Sequence, residues 1–359
     1  IKQRKPEIIA FLQRARQPSP SGRIPIEPVN RQQRLPLSFA QQRLWFLNQL
    51  DPQTAAYNMA GAFRITQPVD EEALRLAFEE IVNRHEIFRT CFVNKDGQAW
   101  QRIGSPTRWE LPIEDLTQLP PRQQEERVSS YARDEALRNF DLEHGPLLRT
   151  RLLKLAPSHY VLLVSMDHII SDGWSVRSFL SEMDKLYGAY QAGGESPLAP
   201  LPIQYVDYAV WQRNWLRGDE LERQLAYWRI QLDEVPVLDI PTDYPRPVML
   251  SDSGQSITDW IDNDLAESIA RLGRDQEATP FIVLLSLFKL LLSRYSGQND
   301  ISVGSPIAGR TRAETEPLIG FFVNTLVLRS RLAPGETFRQ LIDHVRLVAM
   351  ESYAHQDLP

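Results

Sequence analysis

The stretch V-L-L-V-S-M-D-H-I-I-S-D-G-W-S, residues 161–175, decides the fold. An apolar run ends at Met166, a short run of charged residues and a glycine follows, and a helical pattern starts near Ser175. A buried strand that leads through a charged loop into a helix is a common way to build a rigid site. The rest of the chain is therefore interpreted as the frame around this loop, which we call the signature loop.

The composition restricts the class of protein. A chain of 359 residues with 42% hydrophobic and 24% charged residues is long enough for two globular lobes. The net charge of −6 argues against a nucleic-acid or anionic-membrane binder. The single cysteine, Cys91, excludes an internal disulfide and fits a reducing cytoplasm. The longest apolar run, Phe281 to Leu292, is too short to span a membrane, and the first residue, Ile1, suggests a piece of a longer polypeptide.

The order of elements predicts an α/β protein. Residues 1–16 have helical spacing, residues 17–36 form a proline-rich linker, and the three prolines of 241–247 exclude regular structure there. Residues 304–310 are interpreted as a mobile loop. The predicted helices cover 37–50, a segment capped by Asp70, 123–138, 176–190, much of 203–228, 264–272, a segment opened by Thr279 and Pro280, and 338–353. The predicted strands cover 62–66, 87–93, 147–155, 160–166, 256–261, 300–303 and 322–329.

The signature loop contains the candidate chemistry. His168 can act as an acid or base, although a lone histidine at a strand end is more often structural. Asp172 could hold a nearby base or an arginine in place, and Gly173 allows another backbone or a substrate to approach closely. Trp174 and Ser175 stand at a helix start, whose free N–H groups favour negative charge. Alternatively Asp172 and Ser175 simply cap the helix, and both interpretations can hold together.

Several other kinds of site are excluded by the motifs. No His/Cys cluster has metal-ligand spacing, and adjacent Asp167 and His168 on a strand would point to opposite faces. No nucleophile elbow of the G-x-S-x-G type occurs, and the glycines of 304–310 come without the lysine of a phosphate-binding loop. The aromatic cluster at 205–215 is typical of core or interface packing. The residues alone thus give a two-lobed α/β protein with one acid/base loop and no named substrate.

Six separated stretches together resemble the condensation domain of nonribosomal peptide synthetases. In chain order they are S-F-A-Q-Q-R-L-W-F-L at 38–47, R-H-E-I-F-R-T-C-F at 84–92, M-D-H-I-I-S-D-G-W-S at 166–175, Y-V-D-Y-A-V-W at 205–211, I-G-F-F-V-N-T-L-V-L-R at 319–329, and H-Q-D-L-P at 355–359. The first and third look most like the subtype that joins two L-residues.

The resemblance implies a fold of two chloramphenicol-acetyltransferase-like lobes in a V-shaped pseudo-dimer with a central tunnel. It implies lobes at 33–210 and 211–359, the second truncated at its C-terminal end, after an N-terminal helix and linker at 1–32 from an upstream unit. Residues 304–310 would lie near the crossover between the lobes, beside the tunnel.

The resemblance also implies the activity, which is peptide-bond formation in bacterial, cytoplasmic antibiotic or secondary-metabolite biosynthesis. The α-amine of an acceptor aminoacyl thioester would attack a donor aminoacyl or peptidyl thioester. Both would arrive on phosphopantetheine arms of carrier domains, so the domain itself would bind no cofactor and no metal. The expected partners are donor and acceptor peptidyl carrier domains and a neighbouring adenylation domain, with no nucleic acid and no membrane.

Individual roles follow from the matching motif positions. His168 matches the second histidine of the family's H-H-x-x-x-D-G motif, which acts near the attacking amine, and Gly173 matches the motif glycine. Asp172 matches the motif aspartate, which has a structural role through an arginine; Arg84 and Arg89 are the candidate partners here. Further residues that the resemblance marks as structural or tunnel-adjacent are Trp174, Ser175, Tyr205, Trp211 and Asn324.

Position 167 departs from the family pattern, because Asp167 stands where the family usually has the first histidine. The side chain could face away from the tunnel, so that aspartate is tolerated. It could instead mark a heterocyclisation-type domain, whose loop reads D-x-x-x-x-D-x-x-S and is matched here by Asp167, Asp172 and Ser175. Or it could leave an impaired or scaffold-like domain, because a buried aspartate without a partner is costly.

Overall fold

A computed structural model describes residues 24–245, 248 and 254–359. The helix expected over residues 1–16 and the linker up to residue 23 lie outside the described residues.

Helices and strands alternate along most of the described chain. The helices are α1 (Phe39–Leu50), α2 (Glu71–Arg84), α3 (Pro121–Leu137), α4 (Gly173–Gln191), α5 (Tyr205–Trp215), α6 (Asp219–Gln231), α7 (Asn263–Asp275), α8 (Pro280–Ser296) and α9 (Phe338–Ala354). The strands are β1 (Leu35–Pro36), β2 (Asn58–Ile65), β3 (Thr90–Lys95), β4 (Gln98–Ile103), β5 (Ile113–Asp115), β6 (Leu148–Ala156), β7 (His159–Asp167), β8 (Asp300–Ile307) and β9 (Asn324–Arg331). Short 3₁₀ helices cover Glu86–Arg89, His168–Ile170 and Ala313–Thr315.

The strands form three sheets. One has the order β1-β4-β3, a second has the order β2-β7-β6-β5, and β8 pairs with β9. Within the second sheet β7 lies between β2 and β6 in antiparallel pairs, and only β5 and β6 run parallel. The signature loop therefore leaves from the end of an inner strand, which is held by hydrogen bonds on both sides.

The described residues form two large apolar cores and a smaller third one around Leu153 and Val161. The first contains the buried side chains of α1, α2, α4, α5 and the first two sheets, and also Leu318, Ile319, Phe321 and Phe322 from the second half. The second runs from Trp228 to Ala349 and joins α8 and α9 to β9. A short segment of the second half is thus buried against the first core, next to the signature loop.

Local signals placed several element ends correctly. Ser38 caps α1 and forms a capping box with Gln41, as its position before the apolar stripe predicts. Asp70 caps α2 and Thr279 caps α8, whose first residue is a proline. The residues N-K-D-G at 94–97 are typical of a turn, and Asp96 and Gly97 close the hairpin between β3 and β4.

Three predicted elements were wrong. Residues 86–89 form a 3₁₀ turn before strand β3 starts at Thr90, so the strand expected at 87–93 begins late. Residues 256–261 pair with no strand of the described chain, and Trp260 is 89% exposed. Their alternating pattern of apolar and polar residues therefore does not form a strand. Residues 304–307, interpreted as loop, continue β8 through Pro306, which is tolerated because β8 lies at a sheet edge.

Within the described residues, no single helix is long and apolar enough to cross a membrane. Helices α7 and α8 pass that test of length and composition only as a pair, and they bend by 101° at the break between them.

Candidate functional site

His168 follows β7 directly and begins the 3₁₀ turn of the signature loop. Its backbone N–H donates to the Tyr57 carbonyl at 2.9 Å, and its Nδ1 lies 2.7 Å from the Ser171 carbonyl. A carbonyl oxygen only accepts hydrogen bonds, so Nδ1 must carry the hydrogen. The neutral ring then has its lone pair on Nε2, to which no described residue makes a hydrogen bond. The half-buried imidazole is thus held in the tautomer of a base.

The ring of His168 is also held from the second half of the chain. The ring centroid of Phe321 lies 4.8 Å from that of the imidazole, at an interplanar angle of 64°. Through this edge-to-face contact an aromatic ring of the second half restrains the imidazole plane. On the loop side, Gln41 of α1 donates to the Ile169 carbonyl at 3.3 Å.

Asp172 is fully buried at the N-terminus of α4 and holds two parts of the chain. Its Oδ1 accepts the backbone N–H of Ser175 at 2.7 Å, so the cap predicted at Asp172 is confirmed, whereas Ser175 lies inside α4 and is not a cap. Its Oδ2 accepts the backbone N–H of Phe322 at 3.0 Å, and its Oδ1 lies 3.5 Å from Nη2 of Arg310. Capping and charge pairing are therefore combined in one carboxylate.

Ser175 and Tyr205 bind the same segment of the second half. Ser175 Oγ donates to the Gly320 carbonyl at 2.8 Å and accepts the Gly320 N–H at 3.0 Å. The Tyr205 hydroxyl donates to the Phe321 carbonyl at 2.5 Å and is bonded to Ser38 of α1 at 2.8 Å. Burial raises the pKa of Tyr205 well above its usual value, so the phenol stays a donor.

Arg310 completes this arrangement from the second half. Its Nη2 donates to Ser175 Oγ at 2.8 Å, its Nη1 donates to the carbonyls of Thr315 and Leu318, and its guanidinium lies 4.0 Å from the centre of the Phe322 ring. Burial lowers the pKa of Arg310, while Asp172 opposes that shift. The clasp denotes the side chains of Asp172, Ser175, Tyr205 and Arg310 together with the backbone of residues 320–322.

Two glycines permit this close approach. A Cβ on Gly320 would overlap the ring of Tyr205, so the I-G-F-F stretch needs glycine there. Gly309 has φ +63°, and a Cβ on it would overlap the Phe322 carbonyl. Gly320 therefore lets the backbone of the second half approach the Tyr205 ring of the first half, whereas Gly309 lets two segments of the second half approach each other.

Neither arginine predicted to pair with Asp172 does so. Arg84 pairs with Glu182 at 3.3 Å and donates to the Ala199 carbonyl at 2.6 Å. Arg89 donates to backbone carbonyls, among them that of Val82 at 3.1 Å. Arg84 and His85 thus connect the end of α2 to Glu182 in the middle of α4, away from the clasp.

Asp167 points into the first half. It is 8% exposed, and its carboxylate accepts the Ile169 N–H at 2.8 Å, which caps the 3₁₀ turn. Burial raises its pKa from the usual 3.8 to about 6, against the opposing effects of that hydrogen bond and of the charges of His168 and Arg149. Its side chain therefore lies in the protein interior, whereas the ring of His168 lies against Phe321.

Gly173 and Trp174 form the exposed side of the signature loop. A Cβ on Gly173 would meet no described atom within 4 Å, and its φ is not positive, so neither packing nor backbone geometry requires glycine. Trp174 is 42% exposed, and its indole N–H donates to the Glu316 carbonyl at 3.3 Å. Open space therefore faces the loop at Gly173.

Asn324 links two of the quoted stretches. Its Nδ2 donates to the carbonyl of Gln356 at 2.9 Å and to that of Leu358 at 2.7 Å. It thus ties the H-Q-D-L-P stretch to the start of β9. Trp211 lies in the first core and stacks on Trp215 at 5.1 Å.

Comparisons with known proteins identify the family of the chain. Residues 31–359 match the family model described as the condensation domain. The chain belongs to the condensation domain family. A linear gramicidin synthase protein of Brevibacillus parabrevis is 47% identical over 336 residues, which cover 93% of the condensation domain and 4% of that synthase protein. The condensation domain therefore spans only a small part of this relative.

Solved structures support the fold. The X-domain in complex with OxyB from teicoplanin biosynthesis has a TM-score of 0.85 at 26% identity, covering 95% of this chain and 75% of that one. A four-domain nonribosomal peptide synthetase bound to AMP and glycine has a TM-score of 0.79 at 26% identity, covering 91% of this chain and 24% of that one. The predicted chloramphenicol-acetyltransferase-like α/β fold of the condensation domain is thereby confirmed.

Several residues of the site were missed by the sequence reasoning. Arg310 ends the 304–310 segment that the resemblance placed at the crossover between lobes, and this position was the available signal. Phe321 looked like an ordinary core residue, and nothing in the sequence pairs it with His168. Within the described ranges no group of three or more His, Cys, Asp or Glu side chains could hold a metal ion.

Asp167→Asn is expected to stabilise the condensation domain at neutral pH. Because folding raises the pKa of this carboxyl to about 6, the folded state holds its proton more tightly than the unfolded state. The wild type therefore loses stability as the pH rises from about 4 to about 6, and the loss persists above that window. Asparagine keeps the cap without a charge, so we expect a gain of about 1–3 kcal/mol at pH 8 and almost none near pH 4.

Urea unfolding of both proteins across this pH range measures the difference. Asp70→Asn is the matched control, since it changes an exposed helix cap in the same way. An equal gain at every pH would contradict the assignment of a buried, ionisable Asp167.

Proposed function

We propose that this condensation domain forms a peptide bond between two thioester-bound substrates. The observation that carries the proposal is His168, whose Nδ1–H is bound by the Ser171 carbonyl and whose Nε2 is left for a substrate. Family membership supports it, because condensation domains of peptide synthetases form amide bonds. His168 is the proposed catalytic residue, and Asp172 is its proposed structural support.

The reaction needs only a modest proton transfer. The acceptor amine attacks the donor carbonyl, the C–N bond forms, and the C–S bond breaks as the thiolate leaves. The amine loses one proton and the thiolate gains one, so Nε2 of His168 takes up a proton and returns it. General-base help of this kind contributes about 10²–10⁴-fold.

Positioning contributes more than proton transfer. Holding two tethered reactants in line can be worth roughly 7–11 kcal/mol. The clasp supports a positioning role for the domain, because it holds the backbone of Phe321, whose ring packs against the imidazole of His168. The signature loop holds the same imidazole through the Ser171 carbonyl. Gly173 leaves the adjoining space open for a substrate, which is its proposed contribution.

We further propose that the substrates arrive on phosphopantetheine arms of donor and acceptor carrier domains, so the arm is substrate and not a resident cofactor. A neighbouring adenylation domain is a proposed partner, supported by the likeness to a four-domain synthetase bound to AMP and glycine. We propose a cytoplasmic location, which the free thiol of Cys91 supports. A bacterial source remains a proposal, since similar synthetases come from Brevibacillus and from Mortierella.

The proposed lobes cover 33–210 and 211–359, after the proposed upstream segment 1–32. The two separate cores support such a division. The boundary falls within α5, whose Trp211 still belongs to the first core, and the second core starts with Trp228.

The proposal is tested with carrier domains loaded with a donor and an acceptor residue. The expected result is a dipeptide on the acceptor carrier, found by mass spectrometry of the intact carrier. A dipeptide minus one water, formed with a Cys, Ser or Thr acceptor, would instead indicate heterocyclisation. No product with the wild type would contradict the proposal.

A domain that binds partners without chemistry is the second candidate. The observation that favours it is the likeness to the X-domain, which was solved in complex with OxyB. It predicts that carriers bind without product. The position of Asp167 supports peptide-bond formation over a domain without chemistry. Asp167 is buried and caps its own turn, whereas His168 is the residue that packs against Phe321.

A further inference from the structure

An apolar cavity of about 420 Å³ opens on the first half beside the signature loop. Its floor is one face of the second sheet, with Met59, Gly61 and Phe63 from β2. Its roof is α4, with Val176 and Leu180 one helical turn apart. We call this cavity the β2/α4 pocket.

The lining of the β2/α4 pocket carries no charge. The polar lining residue, Asn58, donates its side-chain amide to the carbonyls of Ala136 at 2.8 Å and Arg138 at 3.0 Å, which lie outside the lining. A charged group that entered the pocket would lose its hydration without gaining a partner. The pocket therefore favours an apolar occupant.

The pocket adjoins the reactive histidine along the chain. The signature loop joins its two walls, because β7 contributes Met166, two residues before His168, and α4 contributes Val176, three residues after Gly173. Met166 is paired in register with Met59, so the floor continues across both strands. The cavity therefore lies within the same strand–loop–helix unit that positions His168.

The size of the pocket suits a small ligand. Small-molecule pockets have volumes of roughly 300–1,000 Å³, and this cavity is near the lower end. Leu180 and Phe63 are 41% and 37% exposed at its opening, which is apolar surface available for burial. A Cβ on Gly61 would lie 3.0 Å from the Phe63 ring, so even one added methyl group would push that ring.

We propose that the β2/α4 pocket holds the apolar side chain of one of the two thioester-bound residues that are joined at His168. This inference rests on the proposed function and adds its substrate class, a residue with a large aliphatic or aromatic side chain. Donor and acceptor offer the same chemistry to the pocket, so the experiment varies each in turn.

The preference follows from burial. Each methylene group removed from water is worth about fourfold in kcat/KM, which is about 0.8 kcal/mol. Leucine and phenylalanine should therefore exceed alanine and glycine by tenfold or more, and aspartate should react slowest. This selectivity should appear either when the donor residue is varied or when the acceptor residue is varied, according to which of the two side chains occupies the pocket.

The test uses the full chain with separately prepared carriers. Carriers loaded with glycine, alanine, leucine, phenylalanine, tryptophan or aspartate serve first as donors against one acceptor, and then as acceptors against one donor. Gly61→Ala narrows the pocket and Leu180→Ala widens it. Leu50→Ala is the matched control, because Leu50 is an exposed leucine at the end of α1, outside the lining.

The expected result is a change of selectivity in one series only. Gly61→Ala should lower kcat/KM for phenylalanine at least fivefold more than for alanine, and Leu180→Ala should move the optimum towards tryptophan. An equal effect on all residues, or none in either series, would overturn the inference, including the case in which another chain segment fills the pocket. If Gly61→Ala fails to fold, the shift of the optimum in Leu180→Ala is the result that tests the inference. No product from the wild type would overturn the proposed function and this inference with it, whereas unselective product would overturn this inference alone.

Discussion

His168→Ala is expected to lower the rate of peptide-bond formation by about 10²–10⁴-fold, the usual contribution of a positioned acid or base. The substitution removes Nε2, the ring nitrogen that Ser171 leaves free, and it removes the contact with Phe321. Activity above the uncatalysed reaction should remain, because the two tethered substrates are still held in line. The imidazole is half-buried, so stability should fall by only about 1 kcal/mol.

Two further variants separate the roles of His168. His168→Gln can still form a hydrogen bond to the amine but takes up no proton, so retained activity with a changed pH profile would assign orientation to His168. His144→Ala is the matched control, since His144 is an exposed histidine paired with Asp141. The rate of single-turnover transfer between loaded carriers is measured for His168→Ala, His168→Gln and His144→Ala. Full activity in His168→Ala would contradict a catalytic role for His168.

Asp172→Asn is expected to cost about 3–5 kcal/mol in the free energy of unfolding, the usual result of removing one partner of a buried ion pair. The carboxylate is fully buried, and both its oxygens are used. The amide group of asparagine would place a donor against either the Ser175 or the Phe322 N–H. The charge of Arg310 would also lose its counter-ion in the interior.

A double-mutant cycle tests this pairing. Arg310→Met removes the charge, so the double variant Asp172→Asn/Arg310→Met should cost clearly less than the sum of the two single variants. Arg84→Met is the matched control, because Arg84 pairs with Glu182 and should add independently to Asp172→Asn. Denaturant unfolding gives each free energy, and additive costs for Asp172 and Arg310 would contradict the clasp.

Elements with local signals were predictable. The caps at Ser38, Asp70 and Thr279 lie next to the helices that they begin, and the apolar stripes give the helices. The strand expected at 256–261 shows the limit, because alternation predicts a strand only where a partner strand lies beside it. Pro306 shows the opposite error, since proline in an edge strand costs little.

The site was predictable only in part. His168, Asp172 and Ser175 lie within eight residues of one another, and the sequence groups them at once. Arg310 lies 138 residues from Asp172, so only folding brings them together. The resemblance indicated an arginine partner for Asp172, but the sequence does not show which segment crosses to the first core, so it does not single out Arg310.

The clasp has a consequence for motion. Three successive residues of the second half, Gly320 to Phe322, are held by hydrogen bonds to side chains of the first half. A rotation of the proposed lobes that kept these hydrogen bonds would leave Phe321 beside His168, so the clasp would act as a hinge point. Any widening between the proposed lobes that preserved the clasp would then take place away from the reactive histidine, whose immediate surroundings would keep their geometry.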